Sequence, residues 1–167
     1  MRRATPADRE AIHRVESAAF GRVAEADLVD RVAASNGAVA ALSLVAEVEG
    51  EVVGHVLFSH VEVSTDKGPC DVLALGPVAV HPDRQRAGIG STLIRAGLLA
   101  ADELGEPLVV VLGSPDYYQR FGFLPAGRMG LEPPAEFPTA NFLALRLAAY
   151  NPSIHGAVVY GSAWVGV

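Results

Sequence analysis

The chain has 167 residues, of which 50% are hydrophobic and 19% are charged, and this composition predicts a folded domain with a buried core. The formal net charge of -6 disfavours nucleic acid and anionic membranes as partners. Cys70 is the single cysteine, which excludes an internal disulfide and a cysteine-cluster metal site. No apolar run approaches the roughly 20 residues of a membrane helix, and the N-terminal residues lack a signal-peptide core. We therefore expect a single cytoplasmic domain over residues 1–167.

The first part of the sequence predicts two helices and then a hairpin. Thr5-Pro6 supplies a cap and a proline at the first helical position, and Asn36-Gly37 ends the helical region. Glu49-Gly50 is typical of a tight turn between two strands. The predicted elements are helices over 6–19 and 24–34, followed by strands over 38–48 and 51–63.

The rest of the sequence alternates apolar strands with helices. The segment 70–80 is apolar on both faces, as in a central strand, and Pro77 inside it implies a bulge or a lost neighbour. A strand, a helix and another strand in succession predict a right-handed crossover between parallel strands. Residues 131–140, which contain three prolines, predict a loop that serves as a substrate-side lid. The other predicted elements are a helix over 88–104, a strand over 108–112, a short helix over 115–121 and a strand over 141–147. The final segment, 155–167, is apolar, and it is either a last strand, over 156–160, or a dimer contact.

These elements together predict an α/β sandwich around a mixed sheet. A basic, glycine-containing turn, HPDRQRAGIGSTLI (residues 81–94), joins the central strand to its helix. A helix start carries unpaired backbone N–H groups and the positive end of the helix dipole, and glycines let a ligand approach closely. With Arg84 and Arg86 beside it, the turn predicts an anion site, although an ordinary turn with solvated arginines is the alternative. Leu93 replaces the third glycine of a dinucleotide fingerprint and no lysine follows Gly90, so neither that site nor a phosphate loop is present.

Two motifs resemble a known family. VAVHPDRQRAGIGSTLI resembles the Gln/Arg-x-x-Gly-x-Gly/Ala signature of the GNAT superfamily of N-acetyltransferases, and YYQRFGF resembles its Tyr-x-x-x-Gly-Phe motif. LGPVAVHP followed by LGSPDYYQRFGF is similar to the YhbS-type branch. The resemblance implies a mostly antiparallel mixed sheet with a splayed central strand and helices on both faces. It also implies direct transfer of an acetyl group from acetyl-coenzyme A, as co-substrate, to the primary amine of an unidentified small-molecule or protein acceptor.

The same resemblance implies roles for individual residues. The pyrophosphate of coenzyme A would lie on the backbone amides of Arg86 to Ser91, and the pantetheine arm would pair with Val78-Ala79-Val80. A backbone N–H near Val78 or Ala79 would stabilise the thioester oxygen. Tyr118 would protonate the leaving thiolate as general acid, unless it is only a packing aromatic. The implied cofactor-binding residues are Val78, Ala79, Val80, Gln85, Arg86, Ala87, Gly88, Ile89, Gly90, Ser91, Ser114 and Tyr117.

The general base is not identified by the sequence. Some family members carry a glutamate ten residues before the motif glutamine, but Leu75 stands there in this chain. Cys70 has no evident activating cation, which disfavours a covalent acyl-enzyme. No metal site is expected. The remaining candidates for the base are His55, His60, Glu62, Asp71 and His81, and a water chain is the alternative.

Two other classes of function remain open at this stage. A degenerate family member would bind acyl-coenzyme A as a sensor without turning it over, and the missing strand carboxylate favours that alternative. A purely structural α/β domain leaves the pair of motifs unexplained.

Overall fold

The computed structural model describes residues 1–166, which form two compact units. The first unit comprises residues 1–59 and 76–101 and the segment from Ser162 onward, and the second comprises residues 60–75 and 102–161. The helices are α1 (Arg9–Phe20), α2 (Ala24–Ala33), α3 (Ile89–Glu103) and α4 (Pro115–Tyr118). The strands are β1 (Arg2–Arg3), β2 (Ala38–Val48), β3 (Glu51–Thr65), β4 (Gly68–Val80), β5 (Leu108–Leu112), β6 (Leu124–Pro125), β7 (Leu131–Glu132), β8 (Phe142–Arg146) and β9 (Gly156–Val159).

The first helix begins with a short turn that the sequence did not separate from it. A 3₁₀ turn over Pro6–Asp8 precedes α1, and the predicted helix over 6–19 therefore combines two elements. The Asp8 carboxylate accepts the Thr5 N–H at 2.7 Å and the Thr5 hydroxyl at 2.9 Å. It also pairs with the Arg2 guanidinium at 2.8 Å. These contacts fix the entry of the chain into α1 and tie it to β1.

Helices pack on both faces of the sheet of the first unit. Here β2 pairs antiparallel with both β1 and β3. Neighbouring side chains of a strand point to opposite faces. His55 of β3 contacts Glu16 of α1, whereas a Cβ at Gly54 would lie 3.0 Å from Ile89 and Leu93 of α3. The helices α1 and α3 therefore lie on opposite faces of β3, which confirms the predicted arrangement.

The core of the first unit lies between α1, α2 and the strands β2 and β3. Each fully buried aliphatic side chain there stabilises the fold by about 1.5–3 kcal/mol relative to an exposed one. The buried members of this cluster are Ile12, Leu28, Val29, Val32, Val45 and Leu57. On the other face, the ring of Phe58 packs directly against the backbone of Gly97 in α3, and a Cβ at Gly97 would collide with that ring.

The second unit contains the parallel strand pair that the sequence predicts. Leu73 of β4 pairs with Val109 of β5, and Ala74 pairs with Val110, in parallel register. The strand β8 pairs antiparallel with β5 on one side and with β6 on the other. In the same unit β9 pairs antiparallel with β3 and parallel with β7. The sheet is thus mixed and mostly antiparallel, as predicted.

The strand β4 continues well beyond its last residue paired with β5. The register ends at Ala74 and Val110, so the last residues of β5 have no counterpart on β4. Gly76, just before Pro77, has φ +144°, a backbone angle that favours glycine. The parallel pairing of β4 with β5 is therefore short, and the splay of the central strand stays a prediction.

Three predictions about the later segments are refined by the structure. Residues 131–140 are not wholly a loop, because Leu131 and Glu132 form β7, and the lid function stays a prediction. The segment 155–167 contributes β9, which favours the strand alternative, while a dimer contact stays untested and Val167 lies outside the described residues. Of the helices over residues 1–166, none combines the length and apolarity required to cross a membrane.

Candidate functional site

The turn between β4 and α3 has an unusual backbone. Pro82–Arg84 form a 3₁₀ turn, and Gln85 then returns to an extended conformation. Arg86 has φ +62° and Gly88 has φ +81°, so a non-glycine residue occupies the left-handed region two residues before a second left-handed position. Left-handed residues in such turns point successive N–H groups into one concavity, which is how backbone nests bind anions. The sequence did not predict the conformation of Arg86, because arginine has no preference for it.

The N–H groups of this turn are free to bind a ligand. The first hydrogen bond that the start of α3 makes runs from the Thr92 N–H to the Gly88 carbonyl oxygen, at 3.0 Å. Within residues 1–166, no backbone or side-chain acceptor takes the N–H groups of residues 86–91. Residues 86–88 are exposed, and residues 89–91 are half-buried. A helix N-terminus of this kind favours negative charge through both its orphan donors and its dipole.

The polar side chains of the turn are partly committed to other contacts. The Gln85 amide donates to the Val80 carbonyl oxygen at 3.0 Å, which ties the turn to the end of β4. Arg84 lies 3.7 Å from the exposed Glu49 carboxylate. Arg86 is exposed and its side chain makes no ion pair among the described residues. The free positive charge nearest the N–H groups is therefore that of Arg86.

The predicted pantetheine strand lies directly before this turn. Val78 and Val80 are half-buried and alternate with Ala79, which is 1% exposed. The His81 N–H donates to the Val53 carbonyl oxygen at 2.8 Å, so β4 lies antiparallel beside β3 here. The first unit thus holds both the strand and the turn, consecutive in sequence, that the motif assigns to the cofactor.

The predicted acid, Tyr118, lies in the second unit at the end of α4. Its ring packs against the backbone of Gly113, where a Cβ would collide with it. It contacts Tyr117 and Phe123 with ring centroids 5.1 and 5.6 Å apart. Burial, and to a lesser extent Tyr117, raises the pKa of the Tyr118 phenol above its ordinary value. None of the described residues hydrogen-bonds the Tyr118 hydroxyl, so a protonated donor is available there.

Ser114 and Tyr117 lie on the same short helix as Tyr118. The Ser114 carbonyl oxygen accepts the N–H groups of Tyr117 and Tyr118 at 3.1 and 3.0 Å, so Ser114 caps α4 through its backbone. Its own side chain is exposed. The guanidinium of Arg120 lies 4.5 Å from the centroid of the Tyr117 ring, an interaction that positions this ring rather than Tyr118.

The candidate bases other than His55 have ordinary surroundings. The His60 ring lies 2.7 Å from the Glu106 carboxylate in the second unit. His81 accepts the Asp83 N–H at its Nδ1 atom, at 3.3 Å. Glu62 and Asp71 are exposed. None of these contacts indicates a base.

His55 differs from them, because it is the centre of a buried polar chain. Its Nδ1 atom lies 2.6 Å from the Glu16 carboxylate, and its Nε2 atom lies 3.0 Å from the Ser43 hydroxyl. His55 and Glu16 are both 0% exposed. Sequence reasoning missed Glu16 and Ser43. The available signal was that Glu16 lies on the apolar stripe of α1, four residues after the buried Ile12.

A cavity of about 560 Å³ lies in the first unit beside this polar chain. Its walls come from the start of α1, the end of α2 and the first half of β2, and they include Ser43 and Leu57. The register of β2 on β3 shifts between Ala38 and Ser43, so the backbone bulges along this wall. The volume is within the range of small-molecule sites.

The surroundings of Cys70 disfavour a nucleophilic thiolate. Burial and the nearby Asp71 raise the pKa of the Cys70 thiol, which lowers the thiolate fraction at neutral pH. In the described part of the chain, no three His, Cys, Asp or Glu side chains lie close enough together to hold a metal ion.

Comparisons with known proteins agree on one family. Residues 1–126 match a family model described as an acetyltransferase (GNAT) domain. The chain is 42% identical to the uncharacterized N-acetyltransferase YjhQ of Escherichia coli K12 over 135 residues, which are 78% of this chain and 73% of YjhQ. The crystal structure of Escherichia coli YhbS with coenzyme A is similar, with TM-score 0.87 and 30% identity over 98% of this chain and 89% of that one. A GNAT family acetyltransferase of Brucella melitensis with acetyl-coenzyme A has TM-score 0.77 and 36% identity, over 98% of this chain and 96% of that one.

Proposed function

Because this chain belongs to the GNAT family of N-acetyltransferases, as its motifs predicted, we propose that it transfers an acetyl group from acetyl-coenzyme A to a primary amine. The transfer is direct and takes place in a ternary complex. The observation that carries the proposal is the turn over residues 86–91, whose N–H groups have no acceptor within the described chain. The structures of YhbS with coenzyme A and of the Brucella melitensis protein with acetyl-coenzyme A support the choice of ligand.

In this proposal the turn binds the pyrophosphate. The N–H groups of Arg86 to Ser91 donate to phosphate oxygens, and the Arg86 side chain adds positive charge. Gln85 positions the turn through its bond to Val80. The pantetheine amides pair with Val78-Ala79-Val80 as an added strand does. Ser114 and Tyr117 are proposed as further cofactor contacts on the grounds of the motif alone.

The chemistry then requires an oxyanion donor and an acid. A backbone N–H near Val78 or Ala79 stabilises the thioester oxygen as charge develops on it. The neutral Tyr118 hydroxyl donates to the departing thiolate. Its raised pKa keeps the proton on the phenol throughout the neutral range, so ionisation of Tyr118 does not limit the reaction there. The poorly ionised Cys70 leaves no support for a covalent intermediate.

The proposal extends to the cellular setting and the domain organisation. We propose that residues 1–167 act as one acetyltransferase domain in the cytoplasm, without nucleic acid, membrane or metal as partner. Binding of acyl-coenzyme A without turnover would instead favour a non-catalytic sensor.

The first experiment separates binding from catalysis. A ligand at about 100 times its Kd stabilises a native protein by about 2.7 kcal/mol, which for this size raises Tm by about 5–10 °C. We expect acetyl-coenzyme A to produce such a shift, and NADH and ATP to produce much less. Thiol release with a panel of amines then tests transfer. The absence of a melting shift would refute the proposal. A melting shift without release of the coenzyme A thiol in the presence of any amine would favour the sensor.

A further inference from the structure

The last turn of the chain is fixed to helix α2 by a single arginine. Ser162–Trp164 form a 3₁₀ turn that belongs to the first unit. The guanidinium of Arg31 donates to the carbonyl oxygens of Ala163 and Val165, at 3.0 and 3.2 Å. Because these two residues flank Trp164, Arg31 fixes the backbone on both sides of the indole.

The Trp164 indole packs on the core of the first unit without being fully covered. It contacts the aliphatic cluster between α1, α2 and the strands β2 and β3. Trp164 itself is half-buried. A large ring that is already held by packing offers a ligand contact area at little cost in conformational entropy.

The same indole reaches the strand that is assigned to the cofactor. The Cη2 atom of Trp164 lies 4.0 Å from the position that a Cβ at Gly76 would take, which is a van der Waals contact distance. Gly76 lies two residues before Val78, and two residues of extended strand span at most about 7 Å. The ring therefore lies beside the backbone that leads directly into the proposed pantetheine segment, 78–80.

The direction of the cofactor brings its acetyl end toward this ring. In the proposed function the pyrophosphate lies on residues 86–91, and the pantetheine arm pairs first with Val80 and then with Val78. The arm thus runs along β4 away from the turn and toward Gly76. Because the acetyl group is the far end of the cofactor, the acceptor amine has to meet it at the end of the segment where Trp164 lies.

The opposite face of this strand is covered by α3. A Cβ at Gly54 of β3 would lie 3.4 Å from the Ala79 carbonyl oxygen, so Gly54 lies beside the proposed pantetheine segment. That same Cβ would lie 3.0 Å from Ile89 and Leu93 of α3. The α3 face is closed at this level, which leaves the face that carries α1, α2 and Trp164 for the acceptor.

The surroundings of Trp164 favour an apolar, flat acceptor body over one with a second positive charge. The cluster on which the indole packs is aliphatic, and the charged group bound beside it is the guanidinium of Arg31. A second ammonium group would be repelled there, whereas an aromatic ring can stack on the indole in an offset or edge-to-face arrangement.

We propose that Trp164 is a specificity-determining residue, which binds the aromatic body of an arylalkyl primary amine and directs its nitrogen toward the thioester. This inference rests on the proposed acetyltransferase function. Trp164 takes no part in bond making or proton transfer. Arg31 acts through it, by holding the turn in place.

The test compares two amines of nearly the same shape, phenethylamine and cyclohexylethylamine, which differ in the aromaticity of the ring. Trp164→Phe keeps an aromatic face, and Trp164→Leu removes it. Aromatic pairing contributes about 2- to 12-fold in affinity beyond burial. The ratio of kcat/KM for phenethylamine to that for cyclohexylethylamine should therefore fall by about 2- to 12-fold in Trp164→Leu and stay close to the wild-type ratio in Trp164→Phe.

Two controls separate this effect from a loss of packing. Val165→Ala is the matched control, because the Val165 side chain is 74% exposed on the same segment and only its carbonyl oxygen bonds Arg31. The amine ratio should be unchanged in that variant. The urea midpoints of Trp164→Phe and Trp164→Leu should be similar, so that stability does not explain a difference in their amine ratios.

Fluorescence gives a binding measurement that does not depend on turnover. Trp164 is the only tryptophan of the chain, so its emission reports on the proposed contact directly. With coenzyme A in place of acetyl-coenzyme A, no acetyl group is available for transfer. Phenethylamine should then change the emission saturably, and methylamine, which lacks the ring, should not.

The outcomes distinguish this inference from the proposed function. A wild-type amine ratio in Trp164→Leu, or an equal loss in Trp164→Leu and Trp164→Phe, would overturn the role of Trp164. Emission that phenethylamine leaves unchanged would overturn it as well, as would a wild type that acetylates other amines but not phenethylamine. The melting shift with acetyl-coenzyme A should be equal in the wild type and the three variants, and its absence from the wild type would instead refute the proposed function.

Discussion

Two substitutions at Gly88 that differ in charge are expected to separate the effect of charge on phosphate binding from the effect of backbone strain. Gly88 has φ +81°, and a Cβ there would meet no atom within 4 Å, so a short side chain fits but carries some strain. Asp and Asn tolerate this conformation better than other residues and differ almost only in charge. Comparing Gly88→Asp with Gly88→Asn therefore isolates the electrostatic effect on acetyl-coenzyme A.

The expected size follows from Coulomb's law. A carboxylate about 6 Å from one phosphate charge costs roughly 0.7 kcal/mol in water and roughly 2.8 kcal/mol at an effective dielectric of 20. Because Gly88 is exposed and the pyrophosphate carries more than one charge, we expect about 1–3 kcal/mol, or about 5- to 150-fold in Kd.

Calorimetric titration of acetyl-coenzyme A into the two variants measures this difference. At about 1 M salt the Debye length falls to about 3 Å, so most of the difference should disappear. The Asn variant should stay within a few fold of the wild type. Equal affinity of the Asp and Asn variants at low salt would refute the assignment of the turn to the pyrophosphate.

Three further changes test other parts of the account. Tyr118→Phe should lower kcat by about 10- to 1000-fold with little change in cofactor affinity. Tyr117→Phe should lower kcat much less. Unchanged kcat in Tyr118→Phe would show that Tyr118 is not the general acid. Asp8→Asn breaks the ion pair with Arg2, which holds the pKa of the Asp8 carboxyl well below its usual range. In the wild type this ion pair stabilises the fold above about pH 4, and the stabilisation is lost as the pH falls. The gap in urea midpoint between wild type and Asp8→Asn should therefore narrow from pH 7 to pH 2, and a constant gap would contradict that reasoning. Gly97→Ala should reduce the free energy of unfolding by about 1–3 kcal/mol through its collision with Phe58, and an unchanged urea midpoint would count against that close packing.

Most of the fold was predictable because local signals marked its elements clearly. The strands over 38–48 and 108–112 have the predicted bounds, since β-branched and apolar runs end there at turn residues. The two-residue strands β1, β6 and β7 were missed, because a strand of that length shows no periodicity. They depend on partners far away in the sequence.

The parts of the candidate site that the sequence predicts are those with a local signal. The turn has both its helix-start residues and the first motif, and Tyr118 has the Tyr-x-x-x-Gly-Phe motif. The contacts of His55 with Glu16 and Ser43 join residues 39 and 12 positions apart, and no local pattern encodes such pairs. His55 was accordingly one of five equivalent candidates for the base until its surroundings were known.

The most direct test of the central claim is an amide NMR titration of the protein with acetyl-coenzyme A. We expect the largest changes in amide shift at residues 86–91, whose N–H groups would gain phosphate acceptors, followed by those of 78–80. Desulfo-coenzyme A, which keeps the pyrophosphate but lacks the thiol, should reproduce the changes at 86–91. Saturable binding that leaves the amides of 86–91 unmoved would contradict the claim that this turn holds the cofactor.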